Sequence, residues 1–405
     1  MSSHSYRPID TDPSVTRREF VKAVGVCSAV AGGLVLGVPS ADAQEPAPPT
    51  ETNIGDFMKT PRGTHALPGP FPGRVVEVKD PSSLVDERFD AKVINEMFER
   101  GVRTLTGKDM KQSFALFFEP RDVVGLKVNP VGPPLISTRL ELVDAVVRWL
   151  TGNGIPPGNI VIWDRFDYML KDAGFTTERF PGVTIEGLQT MDESEGGTKW
   201  RDASGNHVSR DNFDQSVYYF AKGVVGKNVR GYKDDEFYLN QHVFNGEYSY
   251  FGKLLTKRLT KIVNLAAFKN TGPGISMATK NLGYGSLCNT GRLHVPLFFN
   301  VCTEVLASPV IREKLVLNVT DGLRAQYEGG PDKNAQFVYD NHSLYFATDP
   351  FALDMTCHRQ IVAKRKEMGI APNEHPRFTE YLYYAEKLKL GVATPEKIDY
   401  VLVKA

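Results

Sequence analysis

The chain has 405 residues, and its 48 lysines and arginines balance 48 aspartates and glutamates, so its formal net charge is zero. Its apolar fraction of 41% and charged fraction of 24% are typical of globular proteins and argue against a disordered or fibrous chain. The sequence has no basic stripe or basic tail, which argues against nucleic acid as its main partner.

Residues 1–43 have the features of an export signal. Arg17 and Arg18 lie in TRREFVK, a short Gly/Ala/Val-rich stretch follows, and Ala41 and Ala43 form an A-x-A cleavage site. A twin arginine is typical of the Tat exporter. The alternatives are an ordinary Sec signal or a membrane anchor, but the apolar stretch is too short and glycine-rich to span a membrane. We expect export with the Tat translocase as partner, cleavage after Ala43, and a periplasmic or extracellular mature protein without a membrane span.

After a Pro-rich segment at 44–70, which we interpret as a linker, strand and helix patterns alternate through residues 71–405. This alternation predicts an α/β fold: a largely parallel layered sheet with helices on both faces. The more polar segment 190–250 is interpreted as a mixed insertion or cap. The predicted strands are 123–129, 159–164, 261–269 and 314–321, and the predicted helices are 138–154, 295–307 and one starting at Pro350, with Asp349 placed to cap it.

Each of these four predicted strands has a charged residue at or near its end. The residues are Lys127, Asp164, Lys269 and Asp321. Carboxyl ends of parallel strands lie along one edge of a sheet, where ligands bind. We therefore expect the two cations and two anions to form one site, although charged residues also follow strands simply because loops are solvated.

The segment AAFKNTGPGISMATKNLGYG, residues 266–285, contains Lys269 and Lys280 among four glycines. It matches neither the dinucleotide fingerprint nor the P-loop, which argues against nicotinamide or ATP binding. We interpret it as a flexible, cation-bearing segment for a carboxylate, phosphate or enolate-like anion. His294 lies close behind it and is a candidate base, although a histidine at a helix start is often structural.

The cysteines outside the signal are Cys288, Cys302 and Cys357, without a C-x-x-C pair. Neither a zinc ribbon nor a four-thiolate iron–sulfur cluster can form from one chain, and no metal ligand set is predicted. Two of the three cysteines can pair in an oxidising compartment, but burial as small apolar residues is the better expectation for at least two. No particular cofactor is indicated.

From about residue 70 to 365 the chain resembles the DUF362 family of uncharacterised proteins, in its Tat-exported branch. The resemblance is carried, in order, by FEPRDVVGLKVNP, IVIWDR, FKNTGPGISMATKNLGYG, RLH, TDGLRAQYEGGP and TDPFALD. It implies the marked positions Lys127, Asn129, Asp164, Lys269, Lys280, Asn281, His294, Asp321, Gly330, Asp349 and Asp354. The ferredoxin-type cysteine clusters of some members are missing here. Lys269, Lys280 and His294 also show a weaker similarity to lactate-racemase-like proteins, but a lysine replaces the first metal-ligating histidine.

Three functions fit these features. The leading one is an exported enzyme for a small anionic substrate, with Lys127, Lys269 and Lys280 binding the anion and Asp164, Asp321 or His294 moving protons. Lys269 and Lys280 are also catalytic candidates, because a desolvated lysine among like charges can serve as base or nucleophile. Lys127, Asn129, Asn281, Gly330 and Asp349 are the candidate ligand-binding residues. The alternatives are a non-catalytic anion-binding protein and an accessory partner of an exported redox complex. A pocket holding both lysines and carboxylates would favour the enzyme.

Overall fold

A computed structural model describes residues 50–404 apart from 192–195, 198, 227–241, 273, 295–296, 298, 372–373 and 375. The predicted signal residues lie outside this part of the chain. Across the described residues, no helix combines the length and the apolar character needed to cross a membrane.

The core is one large sheet, in the spatial order β13-β1-β12-β11-β9-β4-β5-β6, with β10 paired to β9. Neighbours from β11 to β6 run parallel, whereas β12 is antiparallel to both β11 and β1. The described strands are β1 (Arg74–Lys79), β2 (Leu84–Val85), β3 (Arg88–Phe89), β4 (Val124–Val128), β5 (Ile160–Phe166), β6 (Thr184–Gln189), β7 (Phe213–Phe220), β8 (Tyr248–Gly252), β9 (Lys261–Thr271), β10 (Gly274–Ile275), β11 (Leu315–Gln326), β12 (Val338–Ala347) and β13 (Asp399–Lys404).

Helices pack on both faces of this sheet. Within the described residues they are α1 (Ile54–Lys59), α2 (Ala91–Thr106), α3 (Met110–Phe117), α4 (Leu140–Gly152), α5 (Asp167–Asp172), α6 (Ala278–Gly285), α7 (Asn300–Ala307), α8 (Pro309–Arg312), α9 (Pro350–Glu367) and α10 (Glu380–Lys387). The predicted α/β class with a mostly parallel sheet is confirmed.

Successive side chains of the central strands point alternately into two hydrophobic cores, one on each face of the sheet. In β5, Ile160 and Ile162 pack with α2, α3 and α4, whereas Val161 and Trp163 pack with α6, α7 and α10 on the opposite face. Strands buried on both faces read as continuous apolar runs. A lysine within such a run, Lys127 of β4, therefore enters the protein interior rather than solvent.

The strand and helix predictions hold with shifted ends. The helix predicted at 138–154 is α4, and α9 begins at Pro350 with Asp349 as its N-cap, as expected. The strand predicted at 314–321 continues to Gln326. The described part of the helix predicted at 295–307 begins at Asn300, and position 295 lies outside the described residues.

Two segments differ from the interpretation of the sequence. Residues 278–285 form helix α6, almost entirely buried, and not a flexible turn, because α7 and α9 cover it. Within the expected linker, α1 packs into the core through Phe57, and Leu67 is fully buried. The described residues of the predicted insertion include β7, which pairs antiparallel with β8 apart from the main sheet.

Candidate functional site

Lys127 and Asp164 form a buried ion pair at the ends of β4 and β5. Lys127 lies beside Trp163 in the strand register, so Asp164 follows one residue beyond it. The Lys127 Nζ donates hydrogen bonds to Asp164 Oδ1, to Asn281 Oδ1 at 2.9 Å and to the Val128 carbonyl at 2.7 Å. Burial lowers the pKa of Lys127, and the neighbouring Asp164 carboxylate opposes that shift. The predicted meeting of these two strand ends is therefore seen.

Asn281 is oriented by a chain of amides that crosses the sheet. Its Nδ2 donates to Asn264 Oδ1 at 2.8 Å, and Asn264 Nδ2 in turn donates to Asn318 Oδ1 at 2.9 Å. The last hydrogen bond of this series of amides runs from Asn318 Nδ2 to the Thr348 carbonyl, at 3.2 Å. Each amide uses its NH2 towards the next one, so the Asn281 carbonyl oxygen faces Lys127.

The helix that carries Lys280 and Asn281 is held at its N-terminus by Asp354. The Asp354 carboxylate accepts hydrogen bonds from the backbone N–H groups of Ala278, at 2.9 Å, and Thr279, at 3.0 Å, and from the Thr279 hydroxyl. A carboxylate at a helix N-terminus satisfies N–H groups that lack partners within the helix. Burial raises the pKa of Asp354 to about 7. Asp354 thus positions helix α6 from outside the helix.

Glycines let α6 approach its neighbours closely. A Cβ on Gly283 would lie 2.9 Å from Cys302 Cα in α7, closer than real Cβ contacts. A Cβ on Gly285 would overlap the Lys127 side chain and lie 3.0 Å from its Nζ. The glycine pattern therefore serves close packing around Lys127 and not chain flexibility.

Lys269, at the end of β9, is buried without a carboxylate partner among the described residues. It is 1% exposed, and its Nζ donates to Asn129 Oδ1 at 3.0 Å and to the Val131 carbonyl at 2.9 Å. Burial, strengthened by the nearby Lys280 cation, lowers the pKa of Lys269 to about 7. This amine therefore exists in both protonation states near neutral pH.

Lys280 and His294 both lie close to the ring of Tyr284. The Lys280 Nζ donates to Thr271 Oγ1 at 3.2 Å and lies 5.6 Å from the centroid of the Tyr284 ring. The His294 ring centroid is 4.4 Å from that ring, and its Nδ1 lies 3.1 Å from the Thr290 carbonyl. Burial lowers the pKa of His294 to about 3, so the imidazole is neutral at pH 7.

A cavity of about 170 Å³ lies between these groups. Seven of the residues singled out from the sequence line it: Lys127, Asn129, Asp164, Lys269, Lys280, Asn281 and His294. Other lining residues include Pro130, Val131, Arg165, Phe166, Met169, Tyr284, Thr290 and Pro331. Among the described lining residues, four carry a basic lysine or arginine side chain and one, Asp164, a carboxylate. The cavity therefore favours an anion.

Three of the predicted site residues are not among those lining this cavity. Asp321 accepts from the backbone N–H of Arg139, at 2.7 Å, and of Leu323, at 3.2 Å, so it holds the start of α4. Burial raises the pKa of Asp321 to about 6. Asp349 caps α9, and Gly330 packs so closely on Asn270 that a side chain would overlap it. All three are buried, and none of them lines the cavity.

Arg165 and Tyr284 are among the cavity-lining residues that the sequence analysis did not single out. Arg165 follows Asp164 directly, and it donates from Nε to Gln189 Oε1 at 2.7 Å and from Nη1 to Thr290 Oγ1. Its position within IVIWDR could have identified it, because two residues at the end of a strand reach the same edge. Tyr284 is four positions after Lys280, the spacing at which helix side chains meet, but that required recognising a helix in a glycine-rich segment.

The described residues show no cluster of metal-binding side chains. The described residues contain no group of three or more His, Cys, Asp or Glu side chains placed to hold a metal ion. Cys288, Cys302 and Cys357 are all unpaired and buried, and burial raises the pKa of each thiol. These cysteines therefore agree with the expected role as small apolar residues.

A larger groove of about 760 Å³ lies elsewhere, beside β1 and β13. Its buried carboxylate, Glu77, accepts hydrogen bonds from Ser343 Oγ at 2.6 Å, Gln360 Nε2 at 2.8 Å and the Tyr400 hydroxyl at 2.5 Å. Those bonds are structural contacts between elements of the sheet and α9. The smaller cavity, with its concentration of buried charge, is the better candidate site.

The match with known families covers the strands and helices that build this cavity. Residues 124–359 match the model of the family described as "Domain of unknown function (DUF362)". No match is found among curated proteins or among solved structures. The matched range includes both residues of the ion pair, Lys269, Lys280, His294 and Asp354.

Proposed function

The chain belongs to the DUF362 family, and from the geometry of its cavity we propose that it is an enzyme acting on a small organic anion. Lys280 and Arg165 bind the anionic group, while the pair Lys127–Asp164 keeps the end of the sheet rigid. Lys269 is the group that exchanges protons with the substrate, and the neutral imidazole of His294 lines the same cavity. The composition of the cavity wall carries this proposal.

The excess of positive charge supports an anionic substrate. Lys127 is neutralised by Asp164, but no carboxylate of the described residues forms an ion pair with Lys269. Low-dielectric surroundings strengthen the attraction between such a buried cation and an anion. Pockets for drug-sized ligands measure roughly 300–1,000 Å³. A cavity of about 170 Å³ therefore fits a small carboxylate or phosphate better than a nucleotide.

One buried group supports an enzyme over a passive binder. An efficient general acid or base has a pKa near the working pH. Burial brings the pKa of Lys269 to about 7, whereas it lowers that of His294 to about 3, so Lys269 is the group that meets this condition. A simple anion receptor needs fixed positive charge and gains nothing from a lysine that loses its proton near neutrality.

A binding titration tests the anionic substrate. We would measure thermal stabilisation and calorimetric binding with acetate, lactate, pyruvate, succinate and inorganic phosphate, and with the neutral amides acetamide and lactamide as controls. Ligand at 100 times its dissociation constant stabilises a folded protein by about 2.7 kcal/mol. We expect at least one anion to bind and the amides to have no effect.

A charge-matched pair of variants locates the binding. K280Q removes a cation from the cavity, and we expect it to weaken anion binding by about tenfold or more. K111Q removes an exposed lysine from α3, so it changes the net charge equally and should leave binding unchanged. Equal binding of amides and anions, or equal loss in the two variants, would disprove the proposed site.

Export by the Tat route is a second part of the proposal, and it is supported by the Arg17-Arg18 pair and the A-x-A site that ends at Ala43. Cell fractionation with the R17K/R18K variant tests it. We expect the uncleaved chain to stay in the cytoplasm, whereas R7K, outside the motif, should be exported and cleaved normally. Normal export of R17K/R18K would refute the route.

A further inference from the structure

We propose that Lys269 forms an imine with the carbonyl carbon of a small 2-oxo carboxylate. The inference rests on the proposed function, because it assumes that the cavity binds an anion, and it goes further by naming the class of substrate and the covalent step. Lys269, and not Lys127 or Lys280, is the nucleophile.

The surroundings of Lys269 suit an amine that must lose its proton. Both oxygen atoms that accept from its Nζ, on Asn129 and Val131, are neutral. Deprotonating Lys269 therefore leaves no carboxylate of the described residues without its ion-pair partner. Deprotonating Lys127, in contrast, would leave Asp164 as a buried unpaired charge. Burial and the Lys280 and Lys127 cations lower the pKa of Lys269 to about 7 against the opposing charges of Asp332 and Asp164, so a large fraction is the nucleophilic free amine at neutral pH.

Two other cations of the cavity wall can bind the carboxylate of the substrate. Lys280 and Arg165 line the same cavity as Lys269. A carboxylate held by these two side chains would keep the adjacent carbonyl group of a 2-oxo acid inside the cavity that Lys269 also lines. A volume of about 170 Å³ suits a short chain such as pyruvate or glyoxylate.

The step balances without an external oxidant or reductant. The Lys269 nitrogen forms a bond to the carbonyl carbon, and the carbonyl oxygen leaves as water. That water takes one hydrogen from the amine nitrogen and one proton from the solvent, so the product is a protonated imine. The positive nitrogen then stabilises a carbanion on the neighbouring carbon, which permits proton removal or carbon–carbon bond cleavage there.

Reductive trapping tests the imine directly. The whole purified chain is incubated with pyruvate or glyoxylate and sodium cyanoborohydride, and the adduct is located by peptide mass spectrometry. With pyruvate, the reduced product adds the mass of pyruvic acid less one oxygen atom. We expect the adduct at Lys269, with a rate that rises through about pH 7 as the amine loses its proton. Exposed lysines should react fast only at much higher pH.

Two controls separate this chemistry from surface labelling. Lactate lacks the carbonyl group and acetone lacks the carboxylate, so neither should label Lys269. K269R keeps the positive charge but has no reactive amine, and we expect it to lower specific labelling by about tenfold or more. Near-UV circular dichroism checks that K269R is folded, and the peptide map of the unaltered chain gives the same answer without any variant.

The outcomes distinguish this inference from the anion proposal. An adduct at Lys269 that requires both carbonyl and carboxylate supports the imine. Binding of pyruvate by calorimetry without an adduct at Lys269 overturns the imine and leaves the anion-binding enzyme in place. Labelling spread evenly over exposed lysines also overturns it. Failure of every anion to bind overturns both.

Discussion

Replacing Lys127 by methionine tests the most buried charge pair in the site. The Lys127 side chain is 1% exposed and that of Asp164 9%, so K127M leaves the Asp164 carboxylate nearly buried without its cation. Removing one partner of a buried ion pair typically costs about 3–5 kcal/mol. Methionine keeps most of the volume that packs on Gly285, so we expect a loss of free energy of unfolding in that range that comes mainly from the unpaired charge.

Urea unfolding followed by tryptophan fluorescence and by far-UV circular dichroism measures this effect. The control is K222M, because Lys222 pairs with Glu51 at 2.7 Å on the surface, with both side chains about two-thirds exposed. Exposed pairs contribute little, so K222M should unfold like the unaltered chain. The double variant K127M/D164N, which buries neither charge, should recover part of the loss. If K127M were as stable as K222M, the pair would not be a buried electrostatic contact.

Other variants test the neighbouring helix and the protonation of the site. G285A places a Cβ against Lys127, and we expect weaker anion binding and about 1–3 kcal/mol lower stability. G152A, with open space around it, should have neither effect. Equal effects of the two variants in calorimetry and urea unfolding would contradict the packing argument. Burial raises the pKa of Asp354 from 3.8 to about 7, so between those values the folded chain binds more protons than the unfolded one and the free energy of unfolding falls as pH rises. D354N should reduce that slope in urea titrations between pH 4 and 7, and an unchanged slope would refute the assignment. Anion affinity should decrease as pH rises through about 7, since Lys269 then loses its charge, and K269M should abolish this dependence in calorimetry.

Local sequence patterns predicted several central elements of this fold. The continuous apolar run at 159–164 and the helical spacing at 138–154 identify β5 and α4, because burial on both faces of a strand and on one face of a helix requires those periods. Asp349 before Pro350 marks the start of α9, since a carboxylate in that position satisfies the first N–H groups of the helix. These signals depend on residues close together in the chain.

The parallel topology also led from the sequence to the neighbourhood of the site. Charged residues at the ends of predicted strands placed Lys127, Asp164 and Lys269 along one edge, and these three line the same cavity. Asp321 satisfied the same rule and yet binds the N–H of Arg139 at the start of α4. Strand ends show which edge a residue reaches, but the direction of the side chain depends on what packs beside it.

The sequence by itself determined the fold class, several central strands and helices and the edge where charged residues gather, because hydrophobic periodicity and capping act over a few residues. Only the tertiary structure decided which charges meet. Asn281 contacts Lys127 from 154 positions along the chain, and the glycines of residues 278–285 fold as a helix because α7 and α9 close over them. The same burial distinguishes Lys127, which pairs with Asp164, from Lys269, which has no ion pair among the described residues, since desolvation and partner charges depend on distances that no local pattern encodes.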